Sequence, residues 1–503
     1  MKEGLFKKIY DFFDLHISPV FNVLSKPFVG IFNILQIGVK ILLIIAIVFS
    51  SYQYLNNVFY NHDLKDGTSF KSIPENTIDV VVLGSSHAEY SFVPGFFYED
   101  TGLYSYVLGS ACQPYEVSYE MLKEALKTQS PKMVIMEAFT AMPLNSECFG
   151  DSCYVIAQAQ MSGEEKYNVI NYLPEEKAKE YRNEFFNYHN DWRTVEDWSI
   201  ILPENQKKEG RINESLGYVY LPGIESLPEN WWRALTYKED VEVQLDEIDV
   251  ISLNNIYNLC KERGIELLLY KTPIDGLDVI NQSYLHEVWK WADAHNVKYV
   301  DFIDRQKEFD LYLQVHGSSF HLNIAGAAVV TDYLAKTVKD MGIGFNHQSN
   351  ELLDDIYRRK GLDFTNDYLK YETNPRLFLN RLKNSKGITV VSFNYNGGML
   401  YSRLYNSLLS LGLNPTEFQN NQPYHAIIQD GKVVAEGRYV AEYDFGAFSV
   451  KTQDNYVTIG GENHYLESAL MVTYINPSSG LISHKHIDTE SSWELGEPNY
   501  IYD

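Results

Sequence analysis

Basic residues are scarce in this chain: 42 lysines and arginines stand against 67 acidic residues, a formal net charge of -25 over 503 residues. That balance repels nucleic acid and anionic polymers in general, so nucleic acid is excluded as a partner and an anionic substrate would need a local cation site. Cysteine is scarcer still, and four in so long a chain cannot form a disulfide framework. Cys148 and Cys153, in "CFGDSC", are close enough to bridge or to remain separate thiols, while Cys112 and Cys260 lie in apolar or helical contexts and read as core residues. Metal-ligand patterns are missing as well. His316 and His321 are spaced i and i+5 in a loop with no third ligand in view, so neither a metal nor a cofactor is implied.

Long apolar runs are absent but for one. From Val29 to Tyr54 the run "VGIFNILQIGVKILLIIAIVFSSYQY" carries a single charge, Lys40, and is long enough to cross a bilayer core of about 30 Å. No small-residue cleavage site follows it, so it reads as a transmembrane helix rather than a removed signal. Residues 1–40 hold Lys2, Lys7, Lys8, Lys26 and Lys40, against only Lys65 and Lys71 in the 20 residues after Tyr54, which orients the amino terminus toward the cytoplasm and the rest outside the cell. Within residues 1–28, Leu5, Ile9, Phe12 and Phe13 recur at helical spacing. That pattern suits a helix lying on the membrane surface or a plain cytosolic tail.

After residue 66 the texture is that of an α/β domain over 67–344. Buried-strand patterns ("IDVVVLGSS", "YSYVLGSACQP", "PKMVIMEAF", "IELLLYKTP", "VKYVDFID") alternate with helical ones ("YEVSYEMLKEALKTQ", "ISLNNIYNLCKERG", "LHEVWKWADAHN", "NIAGAAVVTDYLAKTVKDMG"). Such alternation implies a doubly wound parallel sheet with right-handed crossovers. An insertion over about 145–246, with "NWWRAL" and many tyrosines, reads as a packed cap or as a substrate-binding wall. The mixed-charge stretch within 345–385 reads as a linker, and 386–503, with short strands and Gly, Asn and Asp at the turns, as a small β-rich domain.

In "DVVVLGSSHAEYSFVP", residues 79 to 94, a continuous apolar strand breaks at a glycine into small polar residues that lead into a helix. Open α/β sheets place their chemistry at the carboxyl end of a strand. A serine hydroxyl there, Ser86, attacks esters only if a neighbouring imidazole takes its proton and preorganised amides hold the developing oxyanion. Otherwise it merely ends a strand. His321, in a loop just before a helix, is the imidazole placed most like it.

The blocks "VVVLGSSHAEYSFVP", "GSACQP", "PKMVIMEAF", "LLLYKTP", "YVDFID" and "FHLNIAGA" resemble, in this order, membrane-anchored SGNH (GDSL-like) hydrolases and acyltransferases, a group that includes the D-alanyl-lipoteichoic acid transfer protein. The resemblance covers residues 76 to 342 and implies Ser86 as nucleophile, His321 as general base, and the amides of Ser86 and Gly109 as the oxyanion hole. His87 and Gln113 fall beside that cleft, His87 to orient substrate, bind a metal or cap the following helix. The family carries an aspartate three residues before the histidine, and here that position is Ser318. The orienting acid is therefore unassigned, with a backbone carbonyl, Ser318, Asp301 or Asp304 open for the task. Lys271, at a strand end, suits an anionic substrate or an ion pair. In the last domain, "LYNSLLSLGLNPTEFQNNQPYHAIIQDGKVVAE" and "ALMVTYINPSSGLISHKHIDT" resemble the two halves of an interleukin-like EMT inducer (PANDER-like) domain in the reverse of the usual order, implying a β-sandwich that binds glycans. Together the resemblances imply an extracytoplasmic O-acyl esterase or acyltransferase acting on a cell-surface polysaccharide or wall polymer. A membrane-embedded acyl donor protein is its expected partner. The alternative is an inactive protein that keeps the fold to bind glycan or a membrane partner.

Overall fold

The computed structural model describes most of residues 29–63, 70–142, 152–182, 214–221, 241–273, 279–302, 316–318, 321–371, 387–414, 422–475 and 482–487, with short pieces elsewhere. The chain divides into two units, residues 1–65 with 179–208, and residues 66–178 with 209–503. In the first, helix α1 spans Val29–Asp63, and its segment Gln36–Tyr54 has a mean hydropathy of 1.7. It is long and apolar enough to cross a membrane. The residues expected to lie on the membrane surface, 1–28, fall largely outside the described residues.

The second unit is mixed α/β. Five parallel strands, β1 Val80–Gly84, β2 Ser105–Gly109, β3 Met133–Glu137, β4 Glu266–Lys271 and β5 Lys298–Asp301, form one sheet in the order β2-β1-β3-β4-β5. All residues of β1 and β3 are buried. Their apolar runs do not alternate because helices cover both faces. Those helices are α2 Ser86–Ser91, α3 Pro94–Thr101, α4 Tyr115–Ala125, α8 Glu247–Arg263, α9 Val279–Ala294 and α10 Ile324–Asp340, while α5 Ser152–Gln160 and α6 Gly163–Asn171 pack outside α4, and α7 spans Glu175–Tyr181. From β1 the chain steps outward to β2 and then back across to β3, so the carboxyl ends of β1 and β3 flank the point where strand order reverses. Ligand crevices of open α/β sheets form there.

The segment read as a linker holds a long helix, α11 Glu351–Tyr371. Its charges lie among Leu353, Ile356, Tyr357, Phe364 and Tyr368, all buried, so the mixed composition belongs to an amphipathic helix and not to a spacer. Helix α11 crosses α3 closely, where a β-carbon on Gly95 would lie 2.5 Å from the Gly361 nitrogen.

Beyond it, strands β8 Ile388–Phe393, β9 Tyr424–Gln429, β10 Lys432–Gly437, β15 Leu470–Ile475, β16 Ile482–Ile487 and β17 Tyr500–Tyr502 form an antiparallel sheet in the order β10-β9-β8-β15-β16-β17. A second sheet holds β11 Tyr443–Asp444, β12 Ser449–Gln453, β13 Tyr456–Ile459 and β14 Glu462–Tyr465. Alternate residues of β8 serve two cores. Ile388 and Val390 pack with Val450, Val457 and Ile459. Val391 and Phe393 join Leu404 and Leu408 of helix α12, Gly398–Ser410, together with Phe364 of α11 and with Phe96 and Ile324 from the α/β part. The β-rich region thus shares a hydrophobic core with the parallel-sheet region.

The cysteines depart from the reading of Cys148 with Cys153. Cys153 is a buried free thiol, as is Cys260, whereas Cys112 is disulfide-bonded, its partner lying outside the described residues. Cys112 is a half-buried turn residue with φ of 52° rather than part of the core. The "NWWRAL" motif, 230–235, lies outside the described residues.

Candidate active site

Strand β1 ends in Gly84, whose φ of +145° suits glycine alone, and a β-carbon there would lie 2.7 Å from Cβ of Glu137. Ser85 follows as the N-cap of α2, its Oγ accepting from the His87 amide at 3.2 Å. Ser86 is therefore the first helical residue, where backbone N–H groups have no carbonyl within the helix. The short helix is tied at its far end, where Ser91 Oγ lies 3.0 Å from Tyr270 Oη and Thr331 of α10 donates to the Ser91 carbonyl at 3.2 Å.

His321 arrives from the other side of the sequence. Strand β7, His321–Leu322, pairs with β6, His316–Ser318, and the register sets Ser318 opposite His321. Asn323 then caps α10, its Oδ1 accepting from the amides of Ala325 and Gly326 at 3.0 Å. These two turns bring His321 Nε2 to 2.9 Å from Ser86 Oγ. Burial lowers the His321 pKa from its ordinary value, which keeps the imidazole neutral and able to accept a proton.

Rings frame the pair. His321 stacks on His87 at 5.0 Å and tilts against Tyr90 at 4.4 Å, and His87 in turn rests on Phe139 at 3.9 Å. Gly109, the last residue of β2, stands level with Gly84. A β-carbon there would meet Cγ of Glu89 at 2.9 Å and the carbonyls of Gly84 and Ser85 at 3.2 Å, so only glycine leaves the cleft open. Glu89 lies one turn beyond Ser86, and burial pushes its carboxyl up to about 7.

The remaining candidates separate. Gln113 turns inward: its Nε2 donates to the Leu108 carbonyl at 3.2 Å and to Ser118 Oγ at 3.0 Å, and its Oε1 accepts from Ser110 at 3.1 Å. It clasps the turn after β2 instead of lining the cleft. Lys271 is buried, donating to Gln282 and to Asp301 at 3.3 Å, so the ion pair is internal rather than at the surface. Asp304 lies outside the described residues, as do the side chains of His316 and Ser318. Among the described residues, no group of three or more His, Cys, Asp and Glu could hold a metal.

Sequence reasoning missed two features. Glu137 closes β3 fully buried, accepting from Ser85 Oγ at 3.2 Å, the Phe139 amide at 3.1 Å and Thr272 Oγ1 at 3.4 Å. The available signal was a lone charge ending the apolar run "MVIME". The second is a strap at 214–221. Its Leu216 carbonyl accepts from Val107 on the open edge of β2, the Val219 amide donates to the Glu89 carbonyl at 2.9 Å, and the Leu221 carbonyl accepts from Ile324 at 3.2 Å. It stitches the helix bearing Ser86 to the helix that follows His321. On this strap Tyr218 and Tyr220 join Phe364, Asp363 and Asp367 around a cavity of about 520 Å³. Comparison of the chain with known protein families and with curated proteins finds no match in either.

Proposed function

We propose that this protein is a membrane-anchored serine esterase or O-acyltransferase of the SGNH type, acting outside the cell on a cell-surface polysaccharide or wall polymer. The observation that carries the reading is the 2.9 Å approach of Ser86 Oγ to His321 Nε2 at the strand-order switch of a parallel sheet. His321 takes the Ser86 proton as Oγ bonds to the acyl carbonyl carbon. The amides of Ser86 and Gly109 hold the oxyanion, and the imidazolium returns its proton to the departing alkoxide. Water or a sugar hydroxyl then gives up a proton to His321, attacks the acyl-serine and restores the free hydroxyl. Anchoring by α1, with the amino terminus in the cytoplasm, raises the effective concentration of a membrane-borne acyl donor.

The test uses full-length protein in detergent with a fluorophosphonate probe and p-nitrophenyl acetate. Wild type should be labelled and should hydrolyse the ester. Ser86→Ala should lose both and His321→Ala should lose roughly 10³-fold or more. A wild type as inert as both variants overturns the enzyme reading in favour of a glycan- or partner-binding protein, the alternative that Ser318 in place of the family aspartate leaves open.

A further inference from the structure

Glu137 has no place in the reaction just described, yet it is the charged side chain buried nearest the turn that carries Ser86. Three donors from three strand ends converge on it: Ser85 Oγ after β1, the Phe139 amide after β3 and Thr272 Oγ1 after β4. An ionised carboxylate accepts from all three at once; when it is protonated one of these bonds must reverse, with the Ser85 or Thr272 hydroxyl accepting instead, since the Phe139 amide can only donate.

Two of these contacts lead back to the candidate pair, one to each member. Ser85 is adjacent to Ser86 and caps α2 through the His87 amide. Phe139, fixed by its own amide, supports the His87 ring, and His87 supports His321. We propose that Glu137 is the positioning residue of this site, its buried carboxylate fixing through Ser85 the turn that carries the nucleophile and through Phe139 the ring column that carries the base. The inference rests on the serine-hydrolase reading above.

It also links positioning to pH. Burial holds the Glu137 carboxyl up at about 7, against its hydrogen bonds from Phe139, Ser85 and Thr272. The titratable groups that sense its charge are Tyr115 from α4 and Tyr270 from β4. Burial raises both far above the ordinary tyrosine range, so they stay neutral. The accepting form of Glu137 therefore appears as pH rises through about 7, and the site should assemble over the same interval.

The experiment is the rate of fluorophosphonate labelling against pH for full-length wild type, Glu137→Gln and Ser85→Ala, with thermal midpoints and the crystal structure of Glu137→Gln. Wild type should gain rate through pH 7. Glu137→Gln should be slower by about 10- to 100-fold at pH 8, with the break near 7 gone and only the more acidic His321 limb left. Its structure should show Ser86 and His321 parted. If Glu137→Gln does not fold, Ser85→Ala, which keeps the carboxylate and cuts its link to the turn, should show the same loss of rate. A Glu137→Gln profile that superimposes on wild type, with only the thermal midpoint lowered, or in its place an unaltered Ser85→Ala rate, overturns the proposal. If wild type itself is not labelled, the hydrolase reading falls, and the position of residues 84–87 in the Glu137→Gln crystal alone decides whether Glu137 holds the turn.

Discussion

Gly109 admits no side chain beside the cleft. A methyl group there would meet Cγ of Glu89 at 2.9 Å and the backbone carbonyls of Gly84 and Ser85 at 3.2 Å, and the carbonyls belong to the turn itself. Gly109→Ala should therefore lower stability by about 1–3 kcal/mol and cut fluorophosphonate labelling by roughly 10²-fold, read as thermal midpoint and labelling rate in one preparation. Single residues were unevenly legible from the sequence. Ser86 and His321 stood out because a glycine-serine turn after an apolar run and a histidine before a helix cap are local patterns. Glu137, Glu89 and the inward turn of Gln113 were not legible, because their roles depend on what lies opposite them across the sheet. A bridge of Cys148 with Cys153 was suggested by short spacing, which says nothing of the direction of either side chain.

Among elements, the strap at 214–221 has the most to do with the site for its length. It covers the open edge of β2 and joins α2 to α10 through main-chain bonds, which leave no pattern in the sequence to read. Val219 is exposed, and its amide is what reaches the Glu89 carbonyl. Val219→Pro removes that donor and should cost about 1–3 kcal/mol, with labelling of Ser86 falling by more than the loss of folded protein explains. Equal losses in the two measurements would make the strap a mere edge cover. The parallel strands themselves were legible as continuous apolar runs. Helix α11 was not, since its charged residues equal the apolar ones in number and only the spacing of Leu353, Ile356, Tyr357, Phe364 and Tyr368 marks a buried face.

For the whole molecule, three buried carboxyls act together. Burial raises Glu89, Glu137 and Asp249 to about 7 each, with Glu116 and Asp246 adding to the rise at Asp249. The folded protein then keeps protons that the unfolded chain has released, so their contribution is full below the ordinary carboxylate range and is lost as pH rises through about 7. The thermal midpoint should be several degrees higher at pH 5.5 than at pH 8, and Glu137→Gln should flatten the difference; a midpoint independent of pH would refute the linkage. The parallel sheet and the apolar amino-terminal helix could be anticipated from composition and order along the chain. That the β-rich region shares a core with the α/β part could not, because Val93, Phe96 and Ile324 read as ordinary interior residues of their own domain.

The separation between the two candidate residues has a consequence for biosynthesis. Ser86 and His321 meet across 235 residues of chain, and the core behind them is closed by strands near the carboxyl terminus. Contacts of such long range form late in folding, and chains of this size fold as they are made, amino end first. While the ribosome is still at work, a growing chain can present the serine but not its histidine, so the pair exists only once the chain has been made nearly to its end.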